Sequence, residues 1–343
     1  MPDMTVDVDL AAIRVAAQLL EDGGLVAFPT ETVYGLGADA ENPAAVARIY
    51  AAKGRPSNHP VIVHLAPEAN LEDWAQAIPA HAHQLIAAFW PGPLTLILRR
   101  AASVPDAVSG GQDSIGLRCP SHPVAQALLR AFKHGRGGIA APSANKFGHV
   151  SPTTAQHVRD EFAAATDDPV AYVLDGGQSA VGIESTILDL SRGYPVLLRP
   201  GHISATDIAA VIGIEPLAAD TAAPRASGTL DAHYAPRTPV ALIETAALTP
   251  TVVQLAAAGR RVALMHYSTT PSLHIAAQQA LPDNPAGFAH DLYAALRTLD
   301  AADADVILVE CPPLDAAWQG INDRLRRAAH DSVHILSRLL SPQ

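Results

Sequence analysis

The amino-acid sequence predicts an α/β protein with two domains, the first of which contains a mixed, twisted sheet with flanking helices. Three observations support this prediction. Short apolar runs alternate with helical stretches through residues 10–212, some neighbouring strands have no helix between them, and a second alternating set follows residue 239. The length of 343 residues suits two hydrophobic cores, and 49% apolar with 17% charged residues is typical of packed globular proteins.

The first domain is predicted to span residues 1–213. Short runs rich in Val, Ile and Leu predict its strands at residues 24–28, 61–65, 94–98, 114–118, 138–141, 171–174, 186–190 and 196–199. Apolar residues three or four apart predict its helices at residues 9–21, 43–52, 81–89, 123–133, 153–161 and 205–211. Parallel neighbours require a crossover helix, and several of these strands lack one, so the sheet is expected to be mixed.

Residues 214–239 are predicted to form an interdomain linker, because the segment is rich in Ala, Pro and Thr and shows no periodicity. Beyond it, strands are expected at residues 240–243, 261–265 and 306–310, and helices at residues 250–258, 287–299 and 321–329. This second set predicts a smaller, Rossmann-like α/β domain at residues 240–343.

Charge and composition exclude several classes of protein. A formal net charge of −11 disfavours general nucleic-acid binding, although a few converging Arg and Lys residues still suffice for a small anion. The two cysteines, Cys119 and Cys311, allow no disulfide framework and indicate a reduced, cytoplasmic protein. The N-terminal residues lack a signal-peptide pattern, and no apolar run reaches the roughly 18 residues that a membrane span needs. P-loop, GxSxG and HExxH motifs are absent from the sequence.

Five segments place polar residues and glycines around predicted strand ends, where functional groups often lie. They are PTETVYGLG at residues 29–37, KGRPSNHPVIVH at 53–64, SIGLRCP at 114–120, APSANKFGHVSPT at 141–153 and GIESTI at 182–187.

Each segment alone has an ordinary structural explanation. Lys53 suits a helix C-terminus, Arg118 an internal carboxylate, and Ser151 the cap of the helix that follows. The functional interpretation is that Lys53 and Arg55 hold a triphosphate and Arg118 a ligand carboxylate. Both interpretations stay open when the segments are taken singly.

Taken together and in this order, these segments, with FWPGPLT at residues 89–95, resemble the signature of the YrdC-type threonylcarbamoyl-adenylate synthase family. The resemblance covers about residues 10–205. SGTLDAHYAP at residues 227–236 and GINDRLRRAA at residues 320–329 resemble the long, two-domain form of that family.

The resemblance implies a nucleotidyltransferase that makes threonylcarbamoyl-AMP and pyrophosphate from L-threonine, bicarbonate and ATP, with Mg²⁺, for tRNA modification. The family's characteristic positions fall on Lys53, Arg55, Ser143 and Asn145. Its threonine-binding positions fall on Thr32, His64, Arg118, Ala141 and Ser185. Its ATP-binding positions fall on Arg55, His59, Ser114, Ser143, Ser151, Arg199 and Tyr234. His59 stands where some members have Asn.

The same resemblance implies that the linker closes over the active site through Tyr234, and that partner proteins carry the adenylate onward to tRNA. It leaves room for direct tRNA contact. Two alternatives remain at this level: an RNA-binding module, and a carbamoyl-adenylate-forming enzyme of the hydrogenase-maturation type. Two cysteines are too few for the zinc-binding modules that the latter would need.

Overall fold

The computed structural model describes residues 8–163, 169–229, 233–268, 275–330 and 332–341. The chain divides into two compact units, and the division falls inside the predicted linker. The first unit contains the described residues of Met1–Phe147 and Ser151–Thr229, and the second those of Gly148–Val150 and Leu230–Gln343.

The first unit is built on one large mixed sheet. Its strands are β1 (Val26–Phe28), β2 (Gly35–Asp39), β3 (Ile62–His64), β4 (Leu94–Arg99), β5 (Ser114–Arg118), β6 (Ile139–Ala140), β7 (Tyr172–Val173), β8 (Thr186–Asp189), β9 (Val196–Arg199) and β10 (Leu217–Ala218). They lie in the order β10-β9-β8-β4-β5-β3-β6-β2-β1-β7. Strand β5 runs parallel to β3 and antiparallel to β4, which confirms the predicted mixed sheet.

The helices of this unit are α1 (Leu10–Glu21), α2 (Pro43–Lys53), α3 (Ala80–Phe89), α4 (Asp106–Ser109), α5 (Pro123–Ala131), α6 (Ala155–Phe162) and α7 (Ala205–Ile212). Local sequence sets the ends of α2, which carries Lys53. The Asn42 side chain caps its first amides, Pro43 occupies the first turn, and Gly54 ends it in the left-handed region at φ 62°.

Strand β2 lies in a segment that sequence analysis treats as a loop. Its glycines conceal a strand, because they carry no apolar side chain that would reveal an alternation. A Cβ at Gly37 would lie 2.9 Å from both Phe28 and Ile139 side-chain atoms. Glycine is therefore required here by close packing between neighbouring strands.

The two faces of the sheet differ in character along β5. Ile115 and Leu117 point into the main apolar core, which also receives residues of the flanking helices. Ser114, Gly116 and Arg118 alternate with them and therefore face the other side of the sheet. A smaller apolar cluster lies on that second side and includes Ile62, Ile97, Ile187, Leu198 and Ala226.

The second unit contains a four-stranded parallel sheet, which confirms the predicted smaller α/β domain. Its strands are β11 (Val240–Ile243), β12 (Val262–His266), β13 (Ala277–Ala280) and β14 (Val306–Glu310), in the order β11-β14-β12-β13. Its helices are α8 (Thr245–Ala257), α9 (Pro285–Asp300), α10 (Gln319–Ala328) and α11 (Ser332–Leu340). Sequence analysis misses β13 and α11.

The predicted linker is more structured than its composition suggests. Strand β10 pairs with β9, and Ala226 is buried in the second-side cluster of the first unit. Residues 230–232, part of the SGTLDAHYAP segment, lie outside the described residues. The limits 1–213, 214–239 and 240–343 stay predictions.

Candidate active site

Arg118 is the centre of a buried polar group at the end of β5. Its Nη2 donates to Glu31 Oε1 at 2.6 Å, its Nη1 to Thr32 Oγ1 at 2.8 Å, and its Nε to the Gly92 carbonyl at 3.2 Å. In the described part of the chain these bonds use three of the five guanidinium N–H groups. Arg118 thus has the internal carboxylate that the structural interpretation expects, and keeps one N–H on each terminal nitrogen for a ligand.

His64 lies beside Arg118, because the two residues are register partners in β3 and β5. Its side chain is buried, and burial together with the nearby Arg118 charge lowers its pKa from 6.5 to about 3. The imidazole is therefore neutral in ordinary buffers. Among the described residues, its Nδ1 has no hydrogen-bond partner.

Ser185 directly precedes β8 and contacts residues of the two strands that flank it, β4 and β9. Its hydroxyl lies 2.8 Å from Thr95 Oγ1, and Arg199 Nη2 reaches the same hydroxyl at 3.2 Å. Arg199 is buried, and its Nε and Nη2 also donate to the Ser185 carbonyl. Ala141 is buried, and its amide donates to the Ile62 carbonyl at 2.9 Å.

Lys53 is fully buried at the end of α2. Its Nζ donates to the Ser143 carbonyl at 2.6 Å and to the Asn145 carbonyl at a shorter distance. Burial, and next the Arg55 charge, lower the pKa of this ammonium well below 10.5. Lys53 therefore ties the loop after β6 to α2, which differs from the helix-end role that the structural interpretation gives it.

Arg55 and His59 lie around the ring of Phe147. The Arg55 guanidinium carbon is 5.7 Å from the ring centroid, and the His59 ring packs edge-on at 5.6 Å. Arg55 Nη2 also donates to the Pro60 carbonyl at 2.8 Å and to Ser227 Oγ at 3.2 Å. Burial and the Arg55 charge lower the pKa of His59.

Ser227 connects Arg199 with Arg55. Its carbonyl accepts from Arg199 Nη1 at 2.8 Å, while its hydroxyl contacts Arg55. A continuous series of contacts therefore runs from Ser185 through Arg199 and Ser227 to Arg55. The series thereby joins one predicted threonine residue, Ser185, to two predicted nucleotide residues, Arg199 and Arg55.

A narrow crevice lies along this side of the sheet. Ser114, Gly116, Ile62 and Ser227 line it. A Cβ at Gly116 would lie 3.1 Å from the Ile97 side chain, so a larger residue in the middle of β5 would fill the crevice.

Ser151 does not cap a helix as the structural interpretation expects. Helix α6 begins later, and Thr154 is its cap. The Ser151 hydroxyl instead donates to buried Glu184 at 2.5 Å, immediately before Ser185 in the chain. Ser151 is therefore bonded to the residue that directly precedes Ser185 in the chain.

Tyr234 lies in the second unit, where it is buried with positive φ of 59°. Its ring packs at 4.1 Å from the His233 ring and 5.8 Å from the Tyr293 ring, and the Arg324 guanidinium lies 5.6 Å away. Its expected contact with ATP stays a prediction.

Sequence analysis misses Glu31, Thr95, Phe147, Glu184 and Ser227. Glu31 and Glu184 lie inside quoted motifs, and the signal that could have found them is the mismatch between a charged residue and its buried surroundings. Ser227 carries no comparable signal, because it lies in a polar segment without periodicity.

The described residues do not fit a resident metal ion. They contain no group of three or more His, Cys, Asp or Glu side chains placed to bind one. In the same part of the chain, no helix is long and apolar enough to cross a membrane.

The fold and the site define an α/β protein with a buried polar site across one side of a mixed sheet. The Sua5/YciO/YrdC family model, described as "Telomere recombination", matches residues 18–201, and the model described as "Threonylcarbamoyl-AMP synthase, C-terminal domain" matches residues 203–330. The chain therefore belongs to the Sua5/YciO/YrdC family, which confirms the resemblance found in the motifs.

Similar proteins match over nearly the whole chain. A threonylcarbamoyl-AMP synthase of Pyrococcus abyssi is 38% identical over 92% of this chain and 94% of its own length. One of Bacillus subtilis is 40% identical over 94% of each chain. The crystal structure of P. abyssi Sua5 complexed with L-threonine covers 95% of this chain and 96% of its own, with 35% identity and a TM-score of 0.86. A structure of a P. abyssi Sua5 variant, in which one His and one Tyr are replaced by Ala, gives a TM-score of 0.85, 35% identity and 94% coverage of each chain.

Proposed function

We propose that this protein is an L-threonylcarbamoyladenylate synthase, which makes threonylcarbamoyl-AMP and pyrophosphate from L-threonine, bicarbonate and ATP. The observation that supports the proposal is the contact series from Ser185 through Arg199 and Ser227 to Arg55, which joins a residue of the predicted threonine site to residues of the predicted nucleotide site. The relatives that match nearly the whole chain are named threonylcarbamoyl-AMP synthases.

The reaction has two steps. The threonine ammonium and bicarbonate first give a carbamate, with release of one water and one proton. A carbamate oxygen then attacks the α-phosphorus of ATP, and the bond to the β-phosphate oxygen breaks to release pyrophosphate. Neither step needs a covalent bond to the protein, so catalysis rests on positioning and on charge stabilisation.

The Arg118 group binds threonine in this proposal. The two remaining Arg118 N–H groups take the substrate carboxylate, and the hydroxyls of Thr32 and Ser185 orient its amine and hydroxyl. His64, which stays neutral, forms a wall of the pocket that adds no charge. Ala141 supplies close backbone contact at the end of β6.

The Lys53 group binds the phosphates. Lys53 and Arg55 oppose the negative charge, while Ser143 and Asn145 position the loop that carries the carbonyl partners of Lys53. Ser114, His59, Ser151 and Arg199 contact other parts of the nucleotide, and Tyr234 remains a predicted contact. Phosphates near Lys53 would raise its pKa and favour its charged form.

Mg²⁺ is treated as part of the substrate, bound to the phosphates of ATP, because the described residues offer it no cluster of their own. The adenylate is a labile mixed anhydride, so we propose that a partner protein transfers it to tRNA. A cytoplasmic location and direct contact with tRNA stay predictions.

The direct test incubates the purified protein with ATP, L-threonine, Mg²⁺ and labelled bicarbonate. We expect labelled threonylcarbamoyl-AMP, and pyrophosphate release that needs both threonine and bicarbonate. Pyrophosphate release that persists without threonine would contradict the proposal. A product formed only with carbamoyl phosphate would favour the carbamoyl-adenylate alternative, and tight tRNA binding without turnover would favour the RNA-binding alternative.

A further inference from the structure

The predicted threonine pocket contains a carboxylate, that of Glu31, which is not among the predicted threonine-binding residues. An amino acid reaches the pocket as a zwitterion, with one carboxylate and one ammonium group. The five predicted contacts supply one cation, Arg118, and no anion, because the pKa of His64 is about 3 and its ring is neutral. A buried ammonium group without a nearby negative charge is costly.

Glu31 is the carboxylate paired with Arg118 in this pocket. Its Oε1 lies 2.6 Å from Arg118 Nη2, and the two side chains are only 8% and 4% exposed. Its Oε2 accepts the Ser121 amide at 3.0 Å, so both oxygens have fixed partners. The next residue in the chain is Thr32. Its hydroxyl accepts a hydrogen bond from Arg118 Nη1 and shares another with the Thr30 hydroxyl.

Arg118 and Glu31 balance each other's charge at this end of the pocket. A zwitterion adds no net charge, whereas a ligand with a carboxylate and no ammonium group would add an unbalanced negative charge to a buried site. Without Glu31, Arg118 would be an unbalanced cation, and the preference between these two ligands would shift towards the anion.

We propose that Glu31 is a specificity-determining residue of the threonine pocket: its carboxylate balances Arg118 and makes the pocket select an amino-acid zwitterion over an acid that lacks the amine. This inference rests on the proposed function. It concerns the charge of the ligand that the pocket selects, not the chemistry at phosphorus.

The test compares two ligands in the full-length protein and in its Glu31→Gln variant. The ligands are L-threonine and the 2,3-dihydroxybutanoate in which a hydroxyl replaces the ammonium group. Gln keeps the shape and nearly the same volume but has one accepting oxygen, so the change removes the charge and one of the two hydrogen bonds to Arg118 and Ser121. Dissociation constants are measured by calorimetry without ATP, at one fixed pH.

We expect the variant to bind threonine at least about tenfold more weakly, and the ratio of the two dissociation constants to shift by about tenfold or more towards the hydroxy acid. Equal weakening of both ligands would overturn the proposal, since it indicates a purely structural role for Glu31. Unchanged or tighter threonine binding would overturn it as well, because Glu31 would then be neutral towards the substrate or compete with it for Arg118.

A matched control is Glu68→Gln. Glu68 also pairs with an arginine, Arg130 at 2.9 Å, but this pair is exposed on the same unit. The control variant should keep both dissociation constants, and circular dichroism and ATP binding verify that Glu31→Gln remains folded. Failure of the wild-type protein to bind threonine would instead count against the proposed function, so the two failures are distinguishable.

Discussion

Arg118 and Lys53, two of the buried cations of the first unit, are held in different ways. Arg118 lies 2.6 Å from the Glu31 carboxylate, and its charge is balanced within the protein. In the described part of the chain, Lys53 donates only to carbonyl oxygens, and burial lowers its pKa well below 10.5. The comparison indicates that the charge of Arg118 is balanced inside the protein, whereas the Lys53 ammonium has no carboxylate partner among the described residues.

The difference matches the charges of the proposed substrates. A zwitterion suits a balanced pocket, while a triphosphate suits cations that lack an internal carboxylate. Lys53, which has no carboxylate partner in the described part of the chain, suits the phosphates, and the Arg118–Glu31 pair suits the zwitterion.

Arg118→Ala tests the first half of this comparison and has the largest expected effect. It leaves the Glu31 carboxylate buried without its cation, so the free energy of unfolding should fall by about 3–5 kcal/mol. Urea unfolding measures the change. In the folded fraction, the threonine requirement should rise more than the ATP requirement.

The double variant Arg118→Ala/Glu31→Ala is the control for Arg118→Ala, because it removes both charges and should recover part of the lost stability. Arg130→Ala, which breaks the exposed pair with Glu68, should leave unfolding nearly unchanged. Equal losses in Arg118→Ala and Arg130→Ala would contradict the view that Arg118 is a buried structural charge. If Arg118→Ala needed equally increased concentrations of threonine and of ATP for activity, the assignment of Arg118 to the threonine site would be contradicted.

Lys53→Met tests the part of the comparison that concerns Lys53. The apolar side chain fills similar space and removes a buried charge, but it leaves the Ser143 and Asn145 carbonyls without this donor. The two effects oppose each other, so stability should change little. Pyrophosphate release should fall by about 10²–10³-fold, the usual cost of removing one group that stabilises transition-state charge. Thermal unfolding and steady-state turnover measure the two effects separately.

Lys146→Met is the matched control for Lys53→Met. Lys146 also bonds to a carbonyl, that of Ala52 at 3.0 Å, and packs over the Phe162 ring. It should keep turnover within a few-fold of wild type. Unfolding of Lys53→Met would show that the ammonium mainly supports the loop after β6, and would remove the contrast with Arg118.

The sequence predicts the fold class and most elements because apolar periodicity determines both. Strand β5 is expected at its observed residues, and α2 is expected to end within a residue of Lys53. Strand β2 escapes because Gly35 and Gly37 carry no side chains, and β10 escapes because a two-residue exposed strand has no periodicity. Such elements are set by neighbouring strands, not by local sequence.

The site is less predictable than the fold, because partners distant in sequence decide each role. Arg118 alone is compatible with a salt bridge or a ligand, and its geometry combines Glu31 with two unused N–H groups. Ser151 is a suitable helix cap by sequence, yet its hydroxyl bonds to Glu184, 33 residues away. Ser227 contacts Arg55 across 172 residues of chain, which no local pattern encodes.

His64→Gln has the smallest expected effect and tests whether the threonine end of the site is free of titrating charge. The folded-state pKa of His64 is about 3, below its ordinary 6.5, so the unfolded chain binds the proton more readily. Stability linked to His64 is therefore fully present above about pH 6.5 and is lost as the pH falls towards 3. Between pH 7 and pH 5 this loss amounts to about 2 kcal/mol, at 1.36 kcal/mol per pKa unit.

The measurement is urea unfolding of wild type and His64→Gln at pH 7 and pH 5. The decrease in unfolding free energy should be smaller in the variant by about 2 kcal/mol. A residual decrease is expected, because burial also lowers the pKa of His122 and of His59. The exposed His83 gives the control variant His83→Gln, which should show the wild-type decrease. An unaltered pH dependence in His64→Gln would mean that His64 is charged or exposed in the folded protein, and the argument for an electroneutral threonine pocket would fail with it.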